Sequence, residues 1–509
     1  MLTLAEYERV LATQDRGYGT LWLVIAWVMV VGYLALRRWY KTGERVSHFD
    51  VFPALSDRTF FTGVVLVAAL LRLPPLFRSF WYDEAFTAAI ARAPDFWTAL
   101  AGDVHPPGHY LIVRLASLLL GTSEAAVRFP SFIAGLLLIY VIYRLVLSFT
   151  FERQTARLAA LLVAVMPAMI SYSVEARYPI FLAVAALTAV IAIRENRPAL
   201  FAFSAAACAY FHATGILYCV LLCMMVPLCR WWWRWSRLWW KWSALALVLI
   251  VPCVLLALSQ SRDVADGFWL LDSNPLWHIV DMTIERQKPF PALVPLTYAP
   301  VMVITIAALW HCRRWLLDPL VAALTALPFI TWGISLVWHP IYLSRTLIAP
   351  VLLMVMLWAI YLRRSGWHVP AALAFTIAAS LPGVYTITPG SDLREIFGRC
   401  DGADLVYATS THVAINALYY APAPVVVWWG GNGVSQTLPA ASRLAMGMTM
   451  TSGIDTKLRG DVCVVELVNY LTTQAEYNHI AALEQRYRPR IEVIPFNGLL
   501  HYRILRMEI

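Results

Sequence analysis

The sequence predicts a mainly α-helical membrane protein of many spans that ends in a small α/β domain. Three observations carry that prediction. Of 509 residues, 60% are apolar and 14% charged, where a soluble domain has about 45–50% and about 25%. The mean hydropathy is +0.64, and the apolar residues fall into long segments with basic clusters at alternate ends, the positive-inside pattern. From about Thr386 onward the composition turns to that of a soluble domain. The same placement of basic residues gives the net charge of +9 a lipid bilayer as its partner, and no nucleic acid.

The elements follow in order. Residues 1–19 are polar and read as a short surface helix. Residues 21–36 form the first span, with no small-residue cleavage pattern behind it. Arg37, Arg38, Lys41 and Arg45 place the end of that span in the cytoplasm, which puts the N-terminus outside. The next span, residues 60–76, delivers a loop at residues 81–128 to the outer face. Within it residues 109–120 are apolar but too short to cross a bilayer that needs about 20 residues. They read as a helix lying at the interface.

Spans at residues 129–147, 158–173, 178–193, 199–211, 216–228, 243–258, 293–310, 320–337, 346–362 and 369–385 follow, about twelve in all by length and hydropathy. Residues 212–215 make a tight outer turn, and residues 260–291 a long outer loop. The run Arg230-Trp231-Trp232-Trp233-Arg234-Trp235 falls at an inner end. Interfacial tryptophan and cytoplasmic arginine explain it without stacking on single-stranded nucleic acid.

Beyond the spans, strands are expected at residues 403–407, 425–429, 462–467, 491–495 and 501–507, and helices at residues 411–420 and 474–487. That alternation predicts a small α/β domain with a mixed sheet. Gly430-Gly431-Asn432-Gly433 reads as a flexible turn and not as a phosphate loop. Cys208, Cys219, Cys223, Cys229 and Cys253 lie in apolar segments as small buried hydrophobes. Cys400 and Cys463 share the polar region and would pair in an oxidising compartment.

The residues that carry chemistry lie in the outer loops. Asp83 and Glu84 follow directly on a span, where charge is costly and marks function. Neighbouring carboxylates repel, which prepares one of them as a general base. The plainer alternative is a pair of acids in the first turn of a helix, favoured by its dipole. Asp103-Val104-His105-Pro106-Pro107 comes next. The prolines fix the backbone, and Asp103 and His105 at (i, i+2) of an extended segment share a side, suited to a metal or a phosphate-bearing substrate. The plainer alternative is a proline-started interfacial helix. A divalent metal beside Asp83, Asp103 or His105 is a further candidate, although no ligand set is complete.

The motifs resemble a known family. Asp83-Glu84 after an early span, then Asp-x-His-Pro-Pro, then Gly121-Thr122-Ser123-Glu124 and Arg128-Phe129-Pro130-Ser131 resemble the dolichyl-phosphate-mannose protein mannosyltransferases. They also resemble bacterial relatives, including aminoarabinose lipid A transferases. Ser171-Tyr172-Ser173-Val174-Glu175-Ala176-Arg177-Tyr178 is similar to the family's second outer loop, and Tyr342-Leu343-Ser344-Arg345 to its Tyr-x-x-Arg. The resemblance covers about residues 58–385.

It implies a GT-C fold and an inverting glycosyltransferase. The donor would be a polyprenyl-phosphate-linked sugar. The acceptor would be lipid A or another glycolipid, a polysaccharide or a protein, on the outer face of a bacterial inner membrane. On that resemblance Asp83 is the catalytic base and Glu84 its orienting partner. Asp103, His105, Glu175, Arg177, Tyr342 and Arg345 bind substrate, with Arg177 and Arg345 near the lipid phosphate. Two departures stand out: the extra span at residues 21–36, and Gly108-His109-Tyr110 where the mannosyltransferases carry a glycine-lysine pair a little later. The second favours the broader bacterial group.

The expected domains are therefore residues 1–57 (extra span and cytoplasmic linker), 58–385 (transmembrane catalytic domain) and 386–509 (soluble extracytoplasmic α/β domain). The rival reading is a transporter or flippase of lipid-linked sugars. A transporter places its polar residues near the bilayer midplane on broken helices, whereas here the acids cluster in an outer loop.

Overall fold

The computed structural model describes residues 55–101, 103, 105–230, 237–267, 294–337, 341–385, 392–409, 411–428, 449–451, 460–468, 474–497 and 500–508. The chain divides into two compact units. One holds the described residues up to Pro75 together with Ser131–Thr386; the other holds Leu76–Pro130 and Ile387–Ile509. The outer loop therefore belongs to the same unit as the C-terminal residues, a grouping with no signature in the sequence.

The first unit is helical. Among the described residues four helices are long and apolar enough to cross a membrane: Asp57–Phe77, Glu124–Thr150, Leu238–Ser259 and Pro319–Val337. A bent pair, Arg153–Val165 and Pro167–Ser173, turned by 64°, makes a fifth if it is counted as one broken span. Six shorter apolar helices accompany them. The expected span at residues 21–36 lies outside the described residues, so the described helices make no count of twelve.

The bend has a clear cause. Pro167 has no N–H to continue the helix, which frees carbonyls at the end of Arg153–Val165. Arg72, fully buried at the end of the Asp57–Arg72 helix, donates to the carbonyls of Ala164 at 2.7 Å and Val163 at 3.2 Å. A cation at a helix C-terminus is favoured by the dipole as well. At the other end of the same two helices Arg157 donates to Asp57 at 2.6 Å and to the carbonyl of Leu55 at 2.8 Å. Contacts at both ends make the two helices parallel, as alternation of the spans requires.

The Asp57 end joins other residues expected at inner ends. Arg144 meets Glu195 at 2.5 Å, Arg194 meets Asp318 at 3.5 Å, and Arg363 meets Glu152 at 3.1 Å. These pairs match charge that a helical bundle would otherwise present unpaired beside apolar surface. At the opposite helix ends a tight turn at residues 212–215 joins Pro198–Phe211 to Gly215–Arg230. A Cβ on Gly215 would stand 1.9 Å from the Cys208 carbonyl oxygen. Only glycine lets the two helices close at that point.

The second unit contains a six-stranded sheet. Its strands are β1 (Leu405–Ala408), β2 (Val425–Trp428), β3 (Thr449–Thr451), β4 (Asp461–Val468), β5 (Arg490–Asn497) and β6 (Leu500–Glu508), in the order β3-β2-β1-β4-β6-β5. The pairs from β3 to β4 are parallel, and β4–β6 and β6–β5 antiparallel, so the sheet is mixed. Helices Thr411–Tyr420 and Gln474–Tyr487 fall where the sequence places them, while the short strand β3 and the helix Leu393–Gly398 are additions.

Val462 and Val464 pack with Ile480 and Leu483 of the second helix. Cys463 between them faces the other way and forms a disulfide with Cys400. Closing a loop of 63 residues stabilises the fold by about 4 kcal/mol.

Leu76–Pro130 supplies helices Tyr82–Arg92, Phe96–Leu100 and Gly108–Leu120 to this unit. The last buries His109, Tyr110, Val113 and Ala116 and exposes Leu111, Leu115, Leu118, Leu119 and Leu120. Such an apolar exposed stripe suits a helix lying at a membrane interface. Gly121, with φ of +88°, ends it. The tryptophan-arginine run at residues 231–236, residues 268–291 of the long outer loop, and Gly430 to Gly433 lie outside the described residues.

Gly215→Ala is expected to destabilise the protein by about 1–3 kcal/mol. Gly63→Ala, in mid-helix where a Cβ meets nothing within 4 Å, should keep or raise the unfolding midpoint. Thermal unfolding of both variants in detergent checks the pair, and equal midpoints would contradict the close approach.

Candidate active site

Arg128 organises the loop that carries Asp83 and Glu84. It stands in the first turns of Glu124–Thr150 and is buried. Its Nε donates to Glu84 Oε1 at 2.7 Å and its Nη2 to Glu84 Oε2 at 2.5 Å. The remaining N–H groups reach the carbonyls of Leu76 (3.0 Å), Arg78 (2.5 Å) and Ser79 (3.0 Å). All five donors of a planar guanidinium are thus used on one turn of chain. The guanidinium also lies 4.9 Å from the centroid of the Phe80 ring.

Glu84 is only 2% exposed and also accepts from the Trp81 backbone N–H at 3.4 Å. The family resemblance implies that Glu84 orients the base or acceptor. The structure places its carboxylate on Arg128 and the helix start. Asp83, the next residue back, is half-buried in the first helical turn, where the helix dipole favours a carboxylate. The plainer reading of an acidic first turn therefore describes its location correctly.

The second acidic motif is built from Pro106 and Pro107, which start the Gly108–Leu120 helix, so that Tyr110 comes round in its first turn. Tyr110 donates its hydroxyl to Asp103 Oδ2, and His105 Nδ1 lies 3.2 Å from Asp103 Oδ1. Asp103 and His105 do face one another, as their spacing predicts. Tyr110, in the triplet that departs from the mannosyltransferase pattern, is the third member. Arg114, one turn further, donates to the carbonyls of Ala91 at 3.0 Å and Ala93 at 2.9 Å, which caps the C-terminus of the Asp83 helix and fixes the two motifs to each other. Among the described residues no group of three or more His, Cys, Asp or Glu side chains has metal-binding geometry, so no metal role is assigned to Asp83, Asp103 or His105.

In the helical unit the ring of Tyr178 gathers three residues. The Arg177 guanidinium is 5.6 Å and that of Arg345 6.0 Å from its centroid. His212 stacks on it at 4.2 Å. Arg177 and Arg345, far apart in sequence, are thereby brought together. Each of the three precedes a helix start, at Pro179, Gly215 and Ile348. Helix N-termini and arginines both favour an anion.

His212 Nδ1 accepts from the Thr214 backbone N–H at 3.1 Å, so the neutral ring carries its proton on Nε2. Tyr218 donates to the Thr346 carbonyl at 2.8 Å and ties the Arg345 turn to the helix after His212. Tyr342 is buried, its N–H donated to Ser335 Oγ at 2.7 Å. Glu175 offers its carbonyl to the Arg177 N–H at 2.7 Å, a tight turn that sets the direction of Arg177. His212, read only as part of a turn, is the residue of this cluster that sequence reasoning missed. Its signal was a histidine in an outer turn between two apolar segments.

The comparisons with known proteins agree with this architecture. Residues 104–256 match the family model of the dolichyl-phosphate-mannose-protein mannosyltransferases. The crystal structure of ArnT from Cupriavidus metallidurans in the apo state is similar over 88% of this chain and 97% of that one, with a TM-score of 0.55 and 13% identity. The chain has the GT-C fold. The same ArnT bound to undecaprenyl phosphate matches over the same shares, with a TM-score of 0.53 and 12% identity. No curated protein sequence matches the chain.

Arg128→Ala leaves the Glu84 carboxylate buried without its partner and is expected to cost about 3–5 kcal/mol. Adding Glu84→Gln should recover part of that loss. A double-mutant cycle on the unfolding midpoint checks the coupling, and strictly additive effects would contradict it.

Proposed function

We propose that the protein is an inverting membrane glycosyltransferase. It moves a sugar from a polyprenyl phosphate to an envelope acceptor, on the outer face of a bacterial inner membrane. The observation that carries this reading is the gathering of Arg177, Arg345 and His212 about Tyr178 in a GT-C fold. The solved ArnT bound to undecaprenyl phosphate supports a lipid-phosphate donor. The match of residues 104–256 to the mannosyltransferase model supports sugar transfer from such a donor.

In the proposed reaction Asp83 accepts the proton of the acceptor hydroxyl as that oxygen attacks the anomeric carbon. The bond from the anomeric carbon to the phosphate oxygen breaks, and its electron pair leaves with the polyprenyl phosphate. A single displacement inverts the anomeric centre. Arg177 and Arg345 stabilise the charge that develops on the phosphate, and His212 Nε2–H adds a donor. Glu84, held by Arg128, positions Asp83. Asp103 and His105 contact substrate, with Tyr110 setting Asp103. Glu175 and Tyr342 shape the turns that present Arg177 and Arg345.

Two features support the outer face. The Cys400–Cys463 disulfide belongs to oxidising compartments. The helix ends expected in the cytoplasm carry the arginine-rich ion pairs. A glycolipid such as lipid A is the acceptor class favoured by the Gly108-His109-Tyr110 departure.

Asp83→Asn is expected to lower transfer in isolated membranes by at least about 100-fold; full activity would remove Asp83 as the base. Arg345→Ala should raise the KM for the lipid donor by about 10- to 100-fold, and an unchanged KM would contradict its role at the phosphate.

A further inference from the structure

We propose that the C-terminal domain clamps the catalytic loop, with Tyr420 as the positioning residue that sets the Asp83 turn. The inference rests on the reading of Asp83 as the base. It starts from the compact unit that joins Leu76–Pro130 to Ile387–Ile509. The helix Thr411–Tyr420 ends in two tyrosines that both turn onto the loop.

Tyr420 Oη accepts from the Phe80 backbone N–H at 2.6 Å and donates to Glu124 Oε1 at 3.2 Å. It thereby bridges the start of the Asp83 turn and the first residue of the helix that carries Arg128. Tyr419 donates its hydroxyl to the Thr122 carbonyl. Its ring packs edge-on against Phe80 at 4.8 Å and under the Arg92 guanidinium at 5.1 Å. Leu393 donates its N–H to Ser79 Oγ at 3.2 Å.

The contacts from Tyr420 and Leu393 converge on Phe80 and Ser79, and Arg128 holds the carbonyl of Ser79. Phe80 is fully buried between Tyr419 and Arg128. Burial pushes the Tyr419 phenol up to about 12, with Glu124 adding to the shift, and raises Tyr420 further for the same reasons. Both hydroxyls therefore remain donors across the physiological range. The line Tyr420–Phe80–Arg128–Glu84 ends one residue from Asp83. The line reaches Asp83 through the Glu84 turn, so its effect falls on the orientation of the base and not on donor affinity.

The test uses the full-length protein in detergent. Tyr420→Phe keeps the ring and removes both hydrogen bonds of the hydroxyl. Hydrogen exchange of a peptide covering residues 78–84 is expected to speed up by about tenfold. The kcat for transfer from a polyprenyl-phosphate-sugar should fall by about 10- to 100-fold with the donor KM unchanged. Tyr407→Phe is the control for general loosening of the domain. It removes the 3.0 Å hydrogen bond to His479, away from the loop, and should move neither readout.

Unchanged exchange in residues 78–84 on Tyr420→Phe would overturn the clamp. Faster exchange with an unchanged kcat would overturn the positioning role, as would an equal loss of kcat in Tyr407→Phe. A wild-type protein that transfers no sugar, while Tyr420→Phe still frees residues 78–84, would overturn the catalytic reading of Asp83 and leave the clamp standing on the exchange result.

Discussion

The buried pair of Arg128 and Glu84 is the interaction on which the outer loop depends. A carboxylate 2% exposed and a guanidinium 3% exposed are unfavourable singly, and removing either leaves the other uncompensated. Together they tie the first turn of the Asp83 helix to the start of a long apolar helix. The three backbone carbonyls held by the same guanidinium fix the chain that leads in. Asp83 is then presented by a rigid turn, which is what a general base needs if it is to meet a hydroxyl at a set distance.

A related rule operates in the helical unit. Arg72 covers the carbonyls that Pro167 releases, and the bend it stabilises brings the chain to Glu175, Ala176 and Arg177. Gly215 allows the turn that stacks His212 on Tyr178. The functional reading therefore has two physical parts: a carboxylate held in place by an ion pair, and cations collected at helix starts about one aromatic ring. The first suits proton removal and the second suits a phosphate leaving group.

Much of the fold was legible in the sequence. Hydropathy and basic loop ends identified most apolar helices, and two helices of the C-terminal domain match the expected bounds because their periodicity and flanking turns are strong. Strand β3 was not legible, since three residues of Thr-Met-Thr carry no pattern. The acids at residues 83, 84 and 103 were legible because charge next to a span is rare. Their partners were not. Arg128 lies 44 residues from Glu84 and Tyr420 lies 340 from Phe80, and no local rule links such positions. His212 and Tyr110 were hidden for the opposite reason: each looked like an ordinary member of a local turn or helix.

The proposed transferase breaks a sugar–phosphate bond, whereas a transporter only moves the lipid across a membrane. Detergent micelles separate the two, because they have no sides. Purified protein in micelles would be incubated with a polyprenyl-phosphate-sugar and an envelope glycolipid extract, and the lipids read by mass spectrometry. Sugar transfer would yield free polyprenyl phosphate together with a sugar-bearing acceptor. An intact donor in micelles, combined with translocation of the same donor in sealed vesicles, would contradict it and establish a transporter.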